Sequence, residues 1–439
     1  MKKVLVANRG AVASRVIRAL DKLGMQSVAI YSDADAGLPY VGQATQALRI
    51  GGPSAQESYL DQDAILRAAI DQGCDGIHPG YGFLSENAAF ARSVEASGLV
   101  FVGPSAHWIA LLGDKIRARE YLQPHGMPML RSSEELNSLQ DLEQAVEQIG
   151  LPLLLKPSGG GGGIGMAPIH ARDQLAAAWE RSSSISAKAF GASSLYAEQL
   201  AVHPRHIEFQ FLADRHGNVR CLFERDCSVQ RRHQKVIEEA PAAAIPADTL
   251  QAITTRLEQI MAEVGYDVIG TVEMLYDGEH GFNFLEVNTR LQVEHAVTEE
   301  ITGIDIVAAQ IRLAYGQRLD QVLPADVARQ GHAIEARVYA EDPVRFFPSC
   351  GVLEAFEFPV RPDIRVEPSY GPGNRVTPYY DPLLAKVIAR GPDRAACIAS
   401  LREALSGAQV QGVKTNIPFV LQVLDDPDFL ANRYSTDKH

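Results

Sequence analysis

The chain has 439 residues, 46% of them hydrophobic and 22% charged, with a mean hydropathy of −0.08; this profile excludes a disordered or collagen-like chain, and at about 150 residues per domain it predicts roughly three domains. Lys and Arg total 41 against 54 Asp and Glu, a net charge of −13, so the overall field disfavours nucleic acid and anionic membranes as partners while leaving room for local anion pockets. Five cysteines, Cys74, Cys221, Cys227, Cys350 and Cys397, show no Cys-x-x-Cys spacing, which argues against a disulfide framework or structural zinc and for the reduced thiols of a cytoplasmic protein.

In chain order, residues 4–7 read as a buried first strand, because Asn8 and Arg9 cut the apolar run far short of a signal peptide. No later stretch is long enough to span a bilayer. Helical periodicity over 13–23 and 62–69 alternates with short apolar runs over 27–31 and 99–102, which predicts βαβ units on a parallel sheet. Between them, Ile77-His78-Pro79-Gly80-Tyr81-Gly82-Phe83-Leu84-Ser85-Glu86-Asn87 is too rich in Gly and Pro for regular structure. It reads either as a plain connection or as a ligand loop at a strand end.

Helical stretches over 105–123 and 139–149 lead to a strand over 151–156, five glycines and an extended piece over 165–169, together a mobile hairpin flap. After Ala201 the pattern predicts an antiparallel sheet, with strands over 207–212, 219–225, 272–276 and 282–287 and a helix over 250–264. A smaller mixed segment runs on from Gly331, and no internal repeat or low-complexity linker is present.

The flap contains Gly-x-Gly-x-x-Gly within Gly159–Gly165, but Pro168 and a strand-like continuation stand where a dinucleotide turn or P-loop must open a helix. The pattern is therefore read as a glycine hairpin, including Gly161, Gly162 and Gly163, whose bare amides close over phosphates with Lys156 at its root. A tight turn alone needs one or two glycines.

The run Glu286-Val287-Asn288-Thr289-Arg290-Leu291-Gln292-Val293-Glu294-His295 has a period of two. Extended, it sets Glu286, Asn288, Arg290, Gln292 and Glu294 on one face and Val287, Leu291 and Val293 on the other. With Glu273 in the preceding strand, Glu286 and Asn288 make an oxygen donor set suited to Mg²⁺ or Mn²⁺ beside nucleotide phosphates, while Arg290 and Gln292 present donors to a small planar anion. The competing reading is the solvated face of an amphipathic strand, against which the Glu-x-Asn pairing with a preceding Glu argues. The polar run Glu224-Arg225-Asp226-Cys227-Ser228-Val229-Gln230-Arg231-Arg232-His233-Gln234-Lys235 reads equally as an exposed charged loop or as a polyphosphate pocket.

Together these segments resemble the biotin carboxylase family, the ATP-grasp component of biotin-dependent carboxylases, over essentially the whole chain. The residues carrying the resemblance are Ala7-Asn8-Arg9-Gly10, the loop from His78 to Asn87, Gly113-Asp114-Lys115, Lys156 with the glycines, Pro204-Arg205-His206, the run from Glu224 to Lys235, the run from Glu286 to His295, Glu335-Ala336-Arg337, Ala340-Glu341-Asp342-Pro343 and Lys414-Thr415-Asn416. The resemblance implies an α/β and α+β multidomain chain. Its parts are a Rossmann-like domain over 1–114, an ATP-grasp domain over 115–330 with a glycine-rich lid at about 131–203, and a mixed carboxy-terminal domain over 331–439 that helps to form a homodimer.

By the same resemblance, Lys115 and Lys156 contact ATP phosphates, Glu198 lies near the adenine, and His206, Gln230 and His233 complete the nucleotide site. Glu273, Glu286 and Asn288 hold two Mg²⁺ or Mn²⁺ ions. Bicarbonate sits against Lys235, Arg290, Gln292 and the Val293 amide, Glu294 removes its proton, and Arg337 stabilises the biotin enolate after carboxyphosphate breaks down. The implied partners are a biotin carboxyl carrier protein and carboxyltransferase subunits, as in acetyl-CoA carboxylase, the enzyme of fatty acid biosynthesis. Biotin is expected on another polypeptide or on a longer form of this chain, since the only Met followed by Lys is Met1.

Three positions depart from the family pattern: Ala11 where Glu is usual, Ile164 where acyl-CoA carboxylases carry Arg, and Ala296 in place of Pro. Ile164 resembles the lid of urea-type carboxylases and brings acceptors other than acetyl-CoA into view. The remaining alternatives are an ATP-grasp ligase with another acceptor and a catalytically degenerate paralogue.

Overall fold

The computed structural model describes residues 1–157, 165–190, 194–232, 234–278 and 280–438. Val4, Leu5 and Val6 are wholly buried in β1 (Lys3–Val6), the middle strand of a parallel sheet with β2 (Gln26–Ser32), β3 (Gln46–Gly51), β4 (Gly76–His78) and β5 (Val100–Phe101). The strand order is β3-β2-β1-β4-β5, so the winding reverses between β1 and β4, and a ligand crevice is expected outside their carboxyl ends. Asn8–Ala11 and the loop after His78 occupy those ends, tied together where the Asn8 amide donates to the Pro79 and Tyr81 carbonyls at 2.8 and 2.7 Å. The first helix, Gly10–Lys22, begins three residues before its periodicity does. Gly10 has φ +61°, and a Cβ there would lie 3.1 Å from the Ser369 hydroxyl, so the turn into this helix needs glycine.

The lid is a separate antiparallel sheet of β6 (Leu153–Pro157), β7 (Ala167–Ile169) and β8 (Leu195–Gln199) in the order β7-β6-β8, backed by the helices Leu139–Ile149 and Leu175–Phe190. It has its own core, including Leu142, Leu153, Leu155, Ile169 and Ala197, the property that lets a unit move as one body. Gly161, Gly162, Gly163 and Ile164 lie outside the described residues.

The main sheet has eight strands: β9 (Arg205–Ala213), β10 (Val219–Arg231), β11 (Gln234–Ala240), β12 (Val268–Asp277), β13 (Gly281–Asn288), and three from the carboxy-terminal segment, β14 (His332–Tyr339) and two more. After β14 that segment contains β15 (Gly351–Val352), β16 (Ala355–Glu357), β17 (Ile364–Pro368), β18 (Arg375–Val376), β19 (Leu383–Gly391) and β20 (Gln409–Gln411), of which β17 and β19 join the main sheet. The sheet order is β13-β12-β9-β10-β11-β14-β19-β17, antiparallel throughout. Because β11 pairs directly with β14, one sheet runs across residue 330 from the central into the carboxy-terminal segment.

Three elements differ from the sequence reading. The helix over 105–123 is two, Ala106–Leu112 and Lys115–Leu122, because Asp114 caps the second by accepting from the Arg117 amide. The strand expected over 219–225 continues to Arg231, since its polar end is buried by the site. The run from Glu286 stays in the sheet only to Asn288, and the helix His295–Thr302 begins directly after Glu294. No helix among the described residues is long and apolar enough to cross a membrane.

Candidate active site

One rung of the main sheet carries most of the charge. Glu286 on β13, Glu273 on β12, Glu208 on β9 and Arg225 on β10 are successive register partners, which sets all four on one face. Adjacent carboxylates repel, so the rung is stable only with cations laid over it. Arg225 is fully buried and donates through Nε to Glu208 at 2.7 Å. Lys235 Nζ reaches in from β11 to Glu208 at 2.6 Å, Glu273 at 2.8 Å and Glu294 at 2.7 Å. His206 Nε2 lies 2.9 Å from the other Glu273 oxygen.

Local bulges aim these groups. Val229 pairs with Ile237 but Gln230 with Lys235, leaving Val236 as an extra residue on β11. Lys235 and Glu238, three apart, would face opposite ways on a regular strand, and the bulge lets both address the same site. A second bulge leaves Leu285 unpaired on β13 immediately before Glu286.

The electrostatics follow from crowding. Burial opposes the charges of Glu273 and Glu294, yet Lys235 and His206 in the first case, and Lys235 and Arg337 in the second, override it and hold both carboxyls well below their usual range. Burial likewise opposes the Lys235 charge, and Glu208, Glu273 and Glu294 raise that ammonium well above its ordinary value. Glu208 moves the other way, pushed up by burial and by Glu294. His206 is raised, the Glu273 charge outweighing the effect of burial.

Beyond Asn288 the chain leaves the sheet, and the alternation of faces ends: Leu291, Gln292 and Glu294 are all buried. The predicted residues still converge, but by side-chain bonds. Arg290 donates to Asn288 Oδ1, Gln292 Oε1 and Glu86 Oε2, each at 2.8 Å. The amides of Asn288 and Gln292 donate to Glu273 Oε1 at 2.8 and 3.0 Å. Glu294 accepts from Arg337 at 3.1 Å through the oxygen that Lys235 does not hold. Glu286 pairs with Lys115 at 2.8 Å. Gln230, the register partner of Lys235, donates to the Cys227 carbonyl at 2.9 Å.

A cavity of about 540 Å³ opens over this cluster, at the crevice foreseen between β1 and β4, and Asn8, Arg9, Tyr81, Arg290, Val293 and Arg337 line it. A second group sits where the lid meets the helix Lys115–Leu122: Lys156 of the lid and Arg119 of that helix clamp the two oxygens of Glu198, each at 2.7 Å. His233, expected in the nucleotide site, lies outside the described residues.

Five participants were not singled out from the sequence as site residues: Glu208, Arg225, Glu238, Glu86 and Arg119. Glu208 had a readable signal, for His206, Glu208 and Gln210 alternate with Ile207, Phe209 and Phe211 along β9. Arg225 lay inside the flagged polar run, and Glu86 inside the flagged loop, with nothing local to name their partners.

Three family models match the chain in succession: the biotin carboxylase N-terminal domain over 1–109, the ATP-binding domain of the carbamoyl-phosphate synthase L chain over 114–322, and the biotin carboxylase C-terminal domain over 335–438. The chain is 45% identical over 436 residues to biotin carboxylase 2 of Bacillus subtilis, covering 99% of this chain and 98% of that protein. It is 43% identical to the mitochondrial methylcrotonoyl-CoA carboxylase subunit alpha of Glycine max, over 99% of this chain and 60% of that one. The biotin carboxylase domain dimer of the 2-oxoglutarate carboxylase of Hydrogenobacter thermophilus, solved with MgADP, ADP and bicarbonate, superposes with a TM-score of 0.94 at 41% identity, covering 99% and 96% of the two chains.

Proposed function

Because the chain belongs to the biotin carboxylase family and is an ATP-dependent ligase, we propose that it carboxylates biotin on a separate carrier protein, using ATP and bicarbonate, through carboxyphosphate. One observation carries the reading above all: a buried carboxylate, Glu294, held ionised between Lys235 and Arg337, the latter lining, with Arg290, the adjoining cavity. A base needs the charged form, and the surrounding cations suit a planar anion.

In this proposal Lys235, Arg290, Gln292 and the Val293 amide bind bicarbonate, and Glu294 takes its proton as a bicarbonate oxygen attacks the γ-phosphorus and ADP leaves. Moving Lys235 from Glu294 onto the bound anion makes Glu294 more basic at the moment when that matters. Lys115, Lys156, His206, Gln230 and His233 hold ATP, with Glu198 at the adenine. The donor set fits a hard divalent cation: Glu273 and Glu286 are opposed in register, with the Asn288 carbonyl oxygen two residues on. Mg²⁺ or Mn²⁺ bound there supplies charge neutralisation on the phosphates. Carboxyphosphate then yields CO₂ and phosphate, phosphate takes the ureido proton of biotin, and Arg337 stabilises the enolate. Lid closure keeps water from the labile intermediate.

Acceptor choice belongs to a carboxyltransferase partner. A coenzyme A thioester, as in an acetyl-CoA-type enzyme, is our first reading, favoured by the name of the soybean relative; a 2-oxo acid is the second, favoured by that of the Hydrogenobacter protein. A cytoplasmic homodimer is the assembly we expect, and a dimer is what the Hydrogenobacter domain forms. The test is steady-state MgATP hydrolysis with and without bicarbonate and free biotin, beside a Glu294→Gln control. Hydrolysis that requires bicarbonate, rises with biotin and collapses in the control supports the proposal. ATP binding with a rate indifferent to both additives refutes it.

A further inference from the structure

Behind Arg337 lies a pair of acids that the proposed reaction does not use. Glu238 on β11 and Glu335 on β14 face each other across one rung, and both are 0% exposed. Glu238 Oε1 accepts from Arg337 Nε at 2.5 Å, but among the described residues neither Glu238 Oε2 nor either Glu335 oxygen has a hydrogen-bond partner. The nearest cation to Glu335 is Lys386, 3.7 Å from Oε2. That ammonium is already committed to Glu367 at 2.8 Å and the Val293 carbonyl at 2.7 Å. Two buried anions facing each other with orphaned oxygens are the costliest state such a pair can adopt.

We propose that Glu335 and Glu238 hold one proton between them, and that Glu335 is thereby a positioning residue for the Arg337 guanidinium. With the proton on Glu335, its O–H donates to Glu238 Oε2, and Glu238 stays ionised with Arg337 on its other oxygen. A single proton so gives a partner to the orphaned Glu238 oxygen and to Glu335. The groups facing the pair are Arg337 and Tyr339 on β14, Lys386 on β19, Glu367 on β17, Lys235 on β11, Cys227 on β10, Glu294 before its helix, and Tyr81. Burial, opposed by Lys386 and reinforced by Glu238, pushes Glu335 up to about 8. Burial, opposed by Arg337 and reinforced by Glu294, pushes Glu238 up to about 7. So close a pair titrates as one acid. Arg337 is balanced between Glu238 and Glu294. Loss of the shared proton doubles the charge on the Glu238 side and draws the guanidinium away from Glu294 and the cavity.

The role of Arg337 rests on the carboxylation reading, whereas the shared proton does not, and the test separates them. Glu335→Gln keeps a donor toward Glu238 but cannot titrate. In infrared spectra at neutral pH the parent should show the carbonyl band of a buried protonated carboxyl that Glu335→Gln lacks. Glu208, also pushed up, is the alternative source of such a band. If Glu335→Gln does not fold, Glu238→Gln must remove the band instead, because an amide facing Glu335 lets it ionise. In kinetics, the alkaline limb of kcat/KM for free biotin should move up by about one pH unit or more in Glu335→Gln. Glu335→Leu, with no donor, should raise the KM for biotin by about tenfold. A merely structural role lowers the melting temperature in both variants and leaves the limb in place, which overturns the proposal, as does a band that persists in Glu335→Gln. If the parent shows no biotin-dependent turnover the carboxylation reading fails, and the band still decides the pair.

Discussion

The centre of the main sheet and the lid both set an ammonium on a carboxylate, with opposite imbalance. Lys235 is shared by three carboxylates that come from two strands and the start of a helix. At the lid the ratio is inverted, and a single carboxylate, Glu198, is clamped by Lys156 and by Arg119 from the helix Lys115–Leu122. Surplus carboxylate around Glu273 and Glu286 is what a divalent cation relieves, and surplus cation beside Glu198 is what a polyphosphate relieves. Each imbalance thus names the charge of the ligand that corrects it. The two regions also differ in support, since the central charges are braced by neighbouring strands of one sheet whereas Lys156 and Glu198 ride on a small sheet with its own core and Arg119 reaches them from the helix Lys115–Leu122.

Removing Lys235 should break this comparison most severely. In Lys235→Met, Glu208, Glu273 and Glu294 lose their common cation in a buried setting, and we expect a loss of about 3–5 kcal/mol in denaturant unfolding. Bicarbonate-dependent turnover should fall about 10³-fold. Lys156→Met is milder, because Arg119 still holds Glu198. We expect about 1–2 kcal/mol, with the KM for ATP raised about tenfold and bicarbonate dependence retained. Equal stability losses in the two variants would erase the distinction.

The pH dependence sharpens it. Glu294 is held well below the ordinary carboxylate range, first against burial and then by Lys235 and Arg337. Its contribution is therefore present above its unfolded value of about 4.3 and is lost as pH falls through the lower folded value. Glu294→Gln should flatten the acid limb of stability by up to about 1.4 kcal/mol per pH unit, measured by unfolding at about pH 5 and pH 3. An unchanged acid slope would show that Glu294 is no better stabilised than an exposed carboxylate.

Much of this was legible in the sequence, and what was not shares a cause. The parallel amino-terminal sheet, the flap and the antiparallel region follow from periodicity, and the resemblance placed Lys235, Arg290, Glu294 and Arg337. Period-two reasoning failed beyond Asn288, where the chain leaves the sheet, and the bulges at Leu285 and Val236 reassign faces without a compositional mark. The Glu238–Glu335 rung was invisible because pairing between β11 and β14 joins segments almost a hundred residues apart, each an ordinary strand on its own.

The smallest effect is expected at the rim, where the two kinds of environment meet. Glu86 comes from the loop after β4 and accepts from Arg290 Nε at 2.8 Å, with a side chain still 35% exposed. Solvent screens such a pair, and Arg290 keeps its bonds to Asn288 and Gln292 when Glu86 is neutralised. Glu86→Gln should therefore cost less than about 1 kcal/mol of stability. The same loop supplies Tyr81 to the cavity, however, and Glu86 is what holds the guanidinium on that side. We expect the KM for bicarbonate to rise about three- to fivefold with kcat little changed, the signature of lost ground-state binding. A fall in kcat at constant KM would instead place Glu86 among the groups that act on the transition state, and the rim would have to be counted with the buried centre.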